Sequence, residues 1–260
     1  MQHITPPARA RLWPYILILC LAFMSFVVAL VPVGMLWEQF RTPQMEVQPS
    51  GLQGTVWQGS ADWIEWQGQS VQAVRWSFHP WGLLRGVWEY QVALQYEGAL
   101  VTGLAGVSVF GEIRGRELHA QALLQDMSAL LNHSSMYLPA AVQGDLQLEV
   151  AELTIPTVWP SALRGQVRLN SLGLVGVAEL GDWQGQLSQT DNRDIRLQFA
   201  PSGDLLQGEG QLLLMPNQTW QVTLKFRPVQ ADSDIGIVAG LLGTADDQGY
   251  ITINQQGRWH

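Results

Sequence analysis

The fold class is decided by residues 220–227, which read Trp-Gln-Val-Thr-Leu-Lys-Phe-Arg. Apolar side chains at Trp220, Val222, Leu224 and Phe226 alternate with polar side chains between them. A period of two puts the two kinds on opposite faces of a β-strand, so the segment is predicted to be a strand with one dry face. The same alternation recurs at residues 88–96, 145–150, 166–170 and 194–199. One-sided alternation is typical of antiparallel sheets and not of buried parallel sheets.

Glycines beside these segments predict where the chain reverses. Strands are expected to begin after Gly111, Gly144, Gly165, Gly185 and Gly210, which gives an antiparallel meander of about ten or more strands. An open sheet of that size would expose edges and apolar surface, so we expect it to curl, fold over itself or form a sandwich. Short helices are predicted at residues 127–131 and 234–242, and a last strand at 250–254.

A segment of a different kind precedes the strands. Leu12 to Trp37 contains no Asp, Glu, Lys or Arg, and at about 1.5 Å per helical residue it is long enough to cross a hydrocarbon core of roughly 30 Å. Arg9 and Arg11 precede it, so the positive-inside rule keeps the N-terminus in the cytoplasm. A cleaved signal peptide would have a shorter apolar run and a small-x-small site, and neither a lipoprotein nor a buried soluble helix fits the segment better.

The sequence therefore predicts a cytoplasmic tail at residues 1–11, a transmembrane anchor at 12–37, a stalk at 38–50 and an exported β domain at 51–260. Cys20 is the only cysteine, so the exported part has no disulfide and no thiol site. Beyond the predicted anchor and tail, 12 Lys and Arg residues stand against 22 Asp and Glu residues, a net charge of −10. This balance disfavours a nucleic-acid partner, because phosphate binding needs clustered cations.

No familiar catalytic motif is present. Ser108 misses the Gly-x-Ser-x-Gly elbow by one position, and Gly208-Glu-Gly210 lacks the third glycine of a dinucleotide fingerprint. The histidines beyond the predicted anchor are His79, His119, His133 and His260, and their spacing does not put two metal ligands on one helix face. We therefore expect no enzymatic activity, no cofactor and no metal site.

Tryptophans are concentrated in one stretch. Their positions there are Trp57, Trp63, Trp66, Trp76, Trp81 and Trp88. Trp76 and Trp88 share the parity of apolar neighbours and are predicted to be buried. For Trp63, Trp66 and Trp81 the sequence leaves two interpretations open, core packing and contact with a partner, since Trp provides much contact area with one polar group.

Residues 54–59, Gly-Thr-Val-Trp-Gln-Gly, begin a series of motifs that resembles the type II secretion system protein N family, also called general secretion pathway protein N. The similarity covers residues 51–257. It is carried by Gly54, Thr55, Trp57, Gly59, Val74, Trp76, Pro80, Leu83, Leu84, Gly86, Leu138, Pro139, Val142, Gln143, Gly144, Asp145, Leu146, Phe226, Pro228, Leu241, Leu242, Gly243, Gly249 and Tyr250.

The resemblance implies a single-pass inner-membrane protein with a cytoplasmic N-terminus and a periplasmic β domain. Its expected role is accessory: it would support export of folded proteins across the outer membrane of a Gram-negative cell, through contacts with other secretion components in the inner membrane and periplasm. No reaction and no cofactor come with the family. The motif residues are Gly, Trp, Pro and Leu, which point to strand starts, turns and core.

The sequence leaves two other function classes open. The first is an envelope lipid-binding or lipid-transfer module of AsmA-like type, in which the sheet forms a groove lined by Trp88, Val92, Leu146, Leu148, Leu197, Val222 and Leu224. The second, a glycan hydrolase, would need two convergent carboxylates, and no spacing in the sequence indicates them.

Overall fold

A computed structural model gives the structure of the 260-residue chain. It describes residues 13–42, 47–66, 69–126, 142–176, 178–229 and 245–258. The predicted short helices at residues 127–131 and 234–242 lie outside these ranges.

Two α-helices come first, α1 (Trp13–Leu30) and α2 (Val33–Phe40), and a 3₁₀ helix spans Pro80–Arg85. The strands are β1 (Val47–Ser50), β2 (Gln53–Gly54), β3 (Gln58–Trp66), β4 (Gln69–His79), β5 (Val87–Tyr96), β6 (Ala99–Ser108), β7 (Ile113–Leu123), β8 (Val142–Ile155), β9 (Ala162–Leu174), β10 (Ala178–Gln189), β11 (Ile195–Pro201), β12 (Leu206–Leu214), β13 (Thr219–Pro228) and β14 (Ile251–Arg258).

All strands belong to one 14-stranded sheet, so the mainly β prediction is confirmed. Each strand from β3 to β14 pairs antiparallel with its neighbours in the sequence, and β1 pairs with β3. The short strand β2 also pairs with β3. Over the described residues the sheet is open, with β1 and β14 at its two edges.

The strand register gives the sheet one apolar and one polar face. One row of directly opposed residues crosses ten strands from β5 to β14, and it runs Leu94, Val101, Ala120, Leu148, Val167, Gly185, Phe199, Gly210, Leu224 and Ile253. Opposed residues in an antiparallel pair point to the same face. The alternation within each strand then places all seven predicted groove residues, Trp88 to Leu224, on this apolar face.

Glycines occupy different positions from those predicted. Gly111 precedes β7 as expected, but Gly144, Gly165, Gly185 and Gly210 lie within strands. The reason is close approach between side chains and neighbouring backbone. A Cβ on Gly210 would overlap the Phe199 ring, and one on Gly185 would lie 2.9 Å from Leu197 Cδ1. These glycines make room for large apolar side chains on the neighbouring strand.

The buried core is small and lies towards one end of the sheet. Trp183, Leu206, Phe226 and Ile251 form its buried cluster. Around them pack half-buried apolar residues that include Leu169, Phe199 and Leu224. The Trp183 indole donates to Leu180 O at 3.1 Å, so its one polar group is satisfied.

The two ends of the sheet differ in what they carry. One end holds the connections β4–β5, β6–β7, β8–β9, β10–β11 and β12–β13; we call it the helix end. Pro32, between α1 and α2, forms a β-bridge with Thr55 there. The core cluster lies towards the other end, because Leu206 and Ile251 are the first residues of β12 and β14.

The N-terminal region is helical where the anchor was predicted. Among the described residues, however, no helix meets the length and hydropathy needed for a membrane span. The anchor therefore stays a prediction. Residues 38–50, expected to form a stalk, include the end of α2 and all of β1.

The core cluster generates a first prediction. Replacing Leu206, which is 3% exposed, by Ala should lower the free energy of unfolding by about 2–5 kcal/mol, because apolar contacts are lost and a cavity remains. Leu84→Ala is the matched control: this side chain is 80% exposed, and the change should stay within about 0.5 kcal/mol. Urea unfolding of the detergent-solubilised chain, followed by circular dichroism, measures both. Equal effects would contradict this assignment of the core.

Candidate interaction surface

The N-terminal motif residues come together at the helix end, around an aromatic cluster. The Trp57 ring lies 5.1 Å from the Phe78 ring and 5.8 Å from the Trp88 ring, measured between centroids. Phe78 also contacts Trp88 at 5.2 Å and Tyr90 at 5.5 Å. The Trp88 indole donates to the Tyr90 hydroxyl at 3.0 Å. Edge-to-face and tilted packing of this kind favours aromatic pairs beyond their buried area.

Gly59 explains the small residue in the first motif. It faces Trp76 across the β3–β4 pair, and a Cβ at position 59 would lie 2.5 Å from Trp76 Cζ2. The Trp76 indole in turn donates to Thr55 O at 3.2 Å. Gly54 has φ of 87°, a conformation that favours glycine. The motif therefore fixes how the chain turns from β2 into β3.

The second motif forms the 3₁₀ helix. Pro80 occupies its first turn, where the missing N–H costs nothing. Gly86 ends it with φ of 68°, and its N–H points to Gly82 O and Leu83 O. Leu83 and Leu84 are both exposed. The motif leucines are therefore presented outward and are not part of the core.

A buried carboxylate lies beneath this 3₁₀ helix. Glu89, on the polar face of β5, is only 3% exposed, because Gly82 packs directly against it. Arg85 Nη2 donates to Glu89 Oε2 at 2.7 Å. Arg116 donates through Nε to Oε1 at 3.2 Å and through Nη2 to Oε2 at 3.4 Å. The carboxylate thus ties the 3₁₀ helix to β5 and β7, and His79 Nε2 lies 4.0 Å away.

The tryptophan predictions have mixed outcomes. Trp76 is half-buried, but Trp88 is 46% exposed and its predicted burial is wrong. Parity placed it on the apolar face, but Trp88 is the second residue of β5, at the end of the sheet, where fewer neighbours cover it. Trp63 and Trp81 are exposed. The Trp66 side chain lies outside the described part of the structure.

The C-terminal motif is elsewhere in the sheet. Phe226 is in the core cluster, Pro228 ends β13 opposite Leu206, and Gly249 has φ of 79° in the turn before β14. Gly144 lies in β8 beside a register shift. Pro139, Leu242 and Gly243 are outside the described residues.

Tyr250 of that motif helps to fix the last turn. Asp246 Oδ1 accepts from Tyr250 N at 2.8 Å and from Gln248 N at 2.9 Å. The hydrogen bond from Tyr250 N is the main reason that the pKa of the Asp246 carboxyl is lowered below its usual range, and the one from Gln248 N acts in the same direction. Lys225 Nζ lies 4.7 Å from the centre of the Tyr250 ring, and Arg227 covers the same ring at 4.8 Å.

The polar face of the C-terminal half carries a groove of about 800 Å³. Glutamines dominate its lining, and they are Gln166, Gln184, Gln186, Gln198, Gln211 and Gln221. Arg168, Lys225 and Glu209 are its charged residues. The groove thus offers neutral amides and few charges, and none of the family-motif residues lines it.

The groups considered for chemistry are spread apart or have structural partners. No cluster of His, Cys, Asp or Glu that could hold a metal ion is found within the described ranges. The Ser108 hydroxyl accepts from Phe110 N at 3.3 Å and from Glu112 N at 3.2 Å, so it holds the β6–β7 turn.

Two features of this surface were not predicted from the sequence. Glu89 follows the polar parity of its strand, and nothing local signals that a 3₁₀ helix covers it. Val109 and Phe110, exposed in the β6–β7 turn, did carry a signal: two large apolar residues adjoin Gly111, in a turn where polar residues are usual.

Comparisons with known proteins agree on one family. The family model described as "Type II secretion system (T2SS), protein N" matches residues 45–254. The chain is 28% identical to the Type II secretion system protein N of Aeromonas hydrophila over 249 residues, which is 91% of this chain and 94% of the relative. It is 23% identical to the protein of that name from Vibrio cholerae serotype O1 over 249 residues, which is 94% of this chain and 97% of the relative. No solved structure matches.

Gly59 provides a second prediction. Gly59→Ala should destabilise the protein by about 1–3 kcal/mol, because the new methyl group overlaps the backbone oxygen of Gln53 and the Trp76 ring. Gly203→Ala is the control, since a Cβ there comes no closer than 3.8 Å to Asp182 N; it should change stability by less than about 0.5 kcal/mol. Urea unfolding compares the two variants. A neutral Gly59→Ala would contradict the close packing of Gly59 against Gln53 and Trp76.

Glu89 provides a third prediction. Glu89→Gln keeps the shape of the side chain but removes the negative charge between two guanidinium groups. It should lower the free energy of unfolding by roughly 3 kcal/mol. This is the lower end of the range for a buried ion pair, because both arginines are partly exposed. Glu149→Gln, which breaks the exposed 3.7 Å pair with Arg168, should cost less than about 1 kcal/mol. Unfolding midpoints in urea measure the difference. Equal midpoints for the two variants would show that Glu89 does not hold the 3₁₀ helix to β5 and β7.

Proposed function

This chain belongs to the type II secretion system protein N family, and on that premise we propose that it is an accessory inner-membrane component of type II secretion. It supports the passage of folded proteins from the periplasm across the outer membrane through contacts with other components of the system. The family match over residues 45–254 is the observation that carries this proposal, and the names of the two relatives agree with it.

The proposed topology places residues 1–11 in the cytoplasm, 12–37 in the inner membrane and 51–260 in the periplasm. Its support is the absence of charged residues from Leu12 to Trp37, with Arg9 and Arg11 before them. The large apolar side chains of α1 that the structure describes between Tyr15 and Leu30 are also exposed.

The proposed mode of contact is strand addition at β14. Within the described part of the chain, β14 pairs only with β13, and its eight residues contain no proline. The opposite edge, β1, has four residues and includes Pro49. An unprotected edge strand is a template for main-chain hydrogen bonds from a partner strand. The β14 edge is therefore the better acceptor of the two.

No reaction is part of this proposal. The family-motif residues bend the backbone, as Gly54 and Gly86 do, or pack aromatic rings, as Trp57 and Trp76 do. Such residues build a surface and do not move protons or bonds.

Crosslinking from the full chain in cells tests the contact. In a Cys20→Ser background, Asn254→Cys on β14 should form a disulfide or bismaleimide adduct with a type II secretion component that antibodies or mass spectrometry identify. Thr223→Cys is the matched control, because Thr223 faces Asn254 across the β13–β14 pair but lies on an interior strand. Adducts only between copies of this chain, or equal adducts from both positions, would contradict the proposed edge contact.

Deletion of the gene tests the wider role. Proteins that the system exports should accumulate in the periplasm while the envelope stays intact, as judged by resistance to detergent. Normal export combined with a leaky envelope would overturn the secretion role and favour lipid handling.

A further inference from the structure

Among the residues that the structure describes, the most exposed apolar side chains of the sheet are gathered in three connections at the helix end. Outside the two N-terminal helices, the described large apolar residues that are between 66% and 89% exposed are Trp81, Leu84, Val109, Phe110 and Val158. We call these five residues the apolar rim. Trp81 and Leu84 belong to the 3₁₀ helix, Val109 and Phe110 to the β6–β7 turn, and Val158 to the β8–β9 connection.

The first two connections are physically joined. Val109 N donates to Gly86 O at 2.9 Å, which ties the β6–β7 turn to the end of the 3₁₀ helix. The β8–β9 connection lies next to the β6–β7 turn, because Ile113 at the start of β7 faces Ile155 at the end of β8. Neighbouring strands thus carry the rim residues along one continuous border.

The rim lies at the end of the sheet where α1 arrives. Leu30 ends α1, and Pro32 bridges to Thr55, just before Trp57. Trp57 contacts Phe78 and Trp88, and Phe78 leads directly into the 3₁₀ helix. A membrane anchor that includes α1 would therefore hold this border of the sheet at the bilayer surface.

We propose that the apolar rim dips into the headgroup region of the membrane that holds α1, so that the periplasmic sheet stands on the bilayer at its helix end. The proposal rests on the anchor in the proposed function. Exposed Trp and Phe together with aliphatic residues suit this region, because aromatic rings favour the interface and aliphatic chains favour the acyl boundary.

The charge distribution fits the same orientation. The three rim connections, residues 80–86, 109–112 and 156–161, contain only Arg85 and Glu112 as charged residues. The other two connections at the helix end, residues 190–194 and 215–218, add Asp191, Arg193 and Asp194. Glu112 is paired with Arg114 at 2.8 Å. The described connections at the opposite end contain Glu97, Asp126, Asp204, Asp246 and Asp247 and no Lys or Arg. An anionic membrane surface repels the acidic end and accepts the rim.

Depth-dependent fluorescence quenching tests the proposal on the full chain in nanodiscs of phosphatidylethanolamine and phosphatidylglycerol. An environment-sensitive NBD label is attached to Phe110→Cys or Val158→Cys in a Cys20→Ser background, and doxyl-labelled phospholipid is the quencher. Val175→Cys, an exposed position in the β9–β10 turn at the opposite end, is the matched control. Labelled native Cys20, within α1, reports on the anchor in the same lipid.

We expect blue-shifted emission and loss of fluorescence to doxyl lipid at positions 110 and 158, and neither change at position 175. Quenching at Cys20 without quenching at 110 and 158 would overturn the rim contact and leave the anchor standing. A blue shift at 110 without lipid quenching would mean that protein covers the rim, and would also overturn it. An unquenched Cys20 would overturn the anchor and the rim contact together, whereas secretion and crosslinking are judged independently.

Discussion

Main-chain hydrogen bonding between sequence neighbours is the constraint on which the rest of this structure depends. Thirteen strands follow one another across the sheet, each paired to the next, with β2 attached beside them. Register shifts interrupt some strand pairs, as beside Gly144, but a row of directly opposed residues still runs from Leu94 to Ile253, so the alternation of these strands adds to the same two faces. The apolar face is half-buried over most of its area, and full burial is confined to places such as the cluster around Trp183 and Phe226. Side-chain packing therefore supplements a framework that the backbone ladder has already set.

The motifs that mark the family act on this framework at its end. Gly59 admits the Trp76 ring and Gly86 ends the 3₁₀ helix, while Gly82, which lies between motif residues, admits Glu89. At Gly59 and Gly82 the missing side chain allows a close approach that a larger residue would prevent, whereas Gly86 is favoured by its φ of 68°. The consequence is a helix end that is fixed in shape and carries exposed aromatic and aliphatic residues. The motif residues thus act by shaping the backbone and its packing, which is compatible with the contact role proposed above.

The sequence predicted what depends on local period and missed what depends on register. Alternation identified β5, β8, β9, β11 and β13, because a period of two is a property of the strand itself. It misplaced Gly165 and Gly210, since the need for glycine there comes from backbone or rings on the neighbouring strand. It gave Trp88 the right face but the wrong exposure, because position along the strand decides how many neighbours cover it. Glu89 was not singled out, since its burial is caused by the 3₁₀ helix that crosses the polar face.

The sequential order of the strands has a consequence for how the molecule is made. A chain that is threaded through a membrane from its N-terminus emerges in the same order in which its strands pair. Each new hairpin can close on the one already formed, so no segment has to wait for a distant part of the chain, and the entropy cost of closing long loops is avoided. Such a sheet can form one strand at a time, and the edge strand at each stage is the template for the next strand.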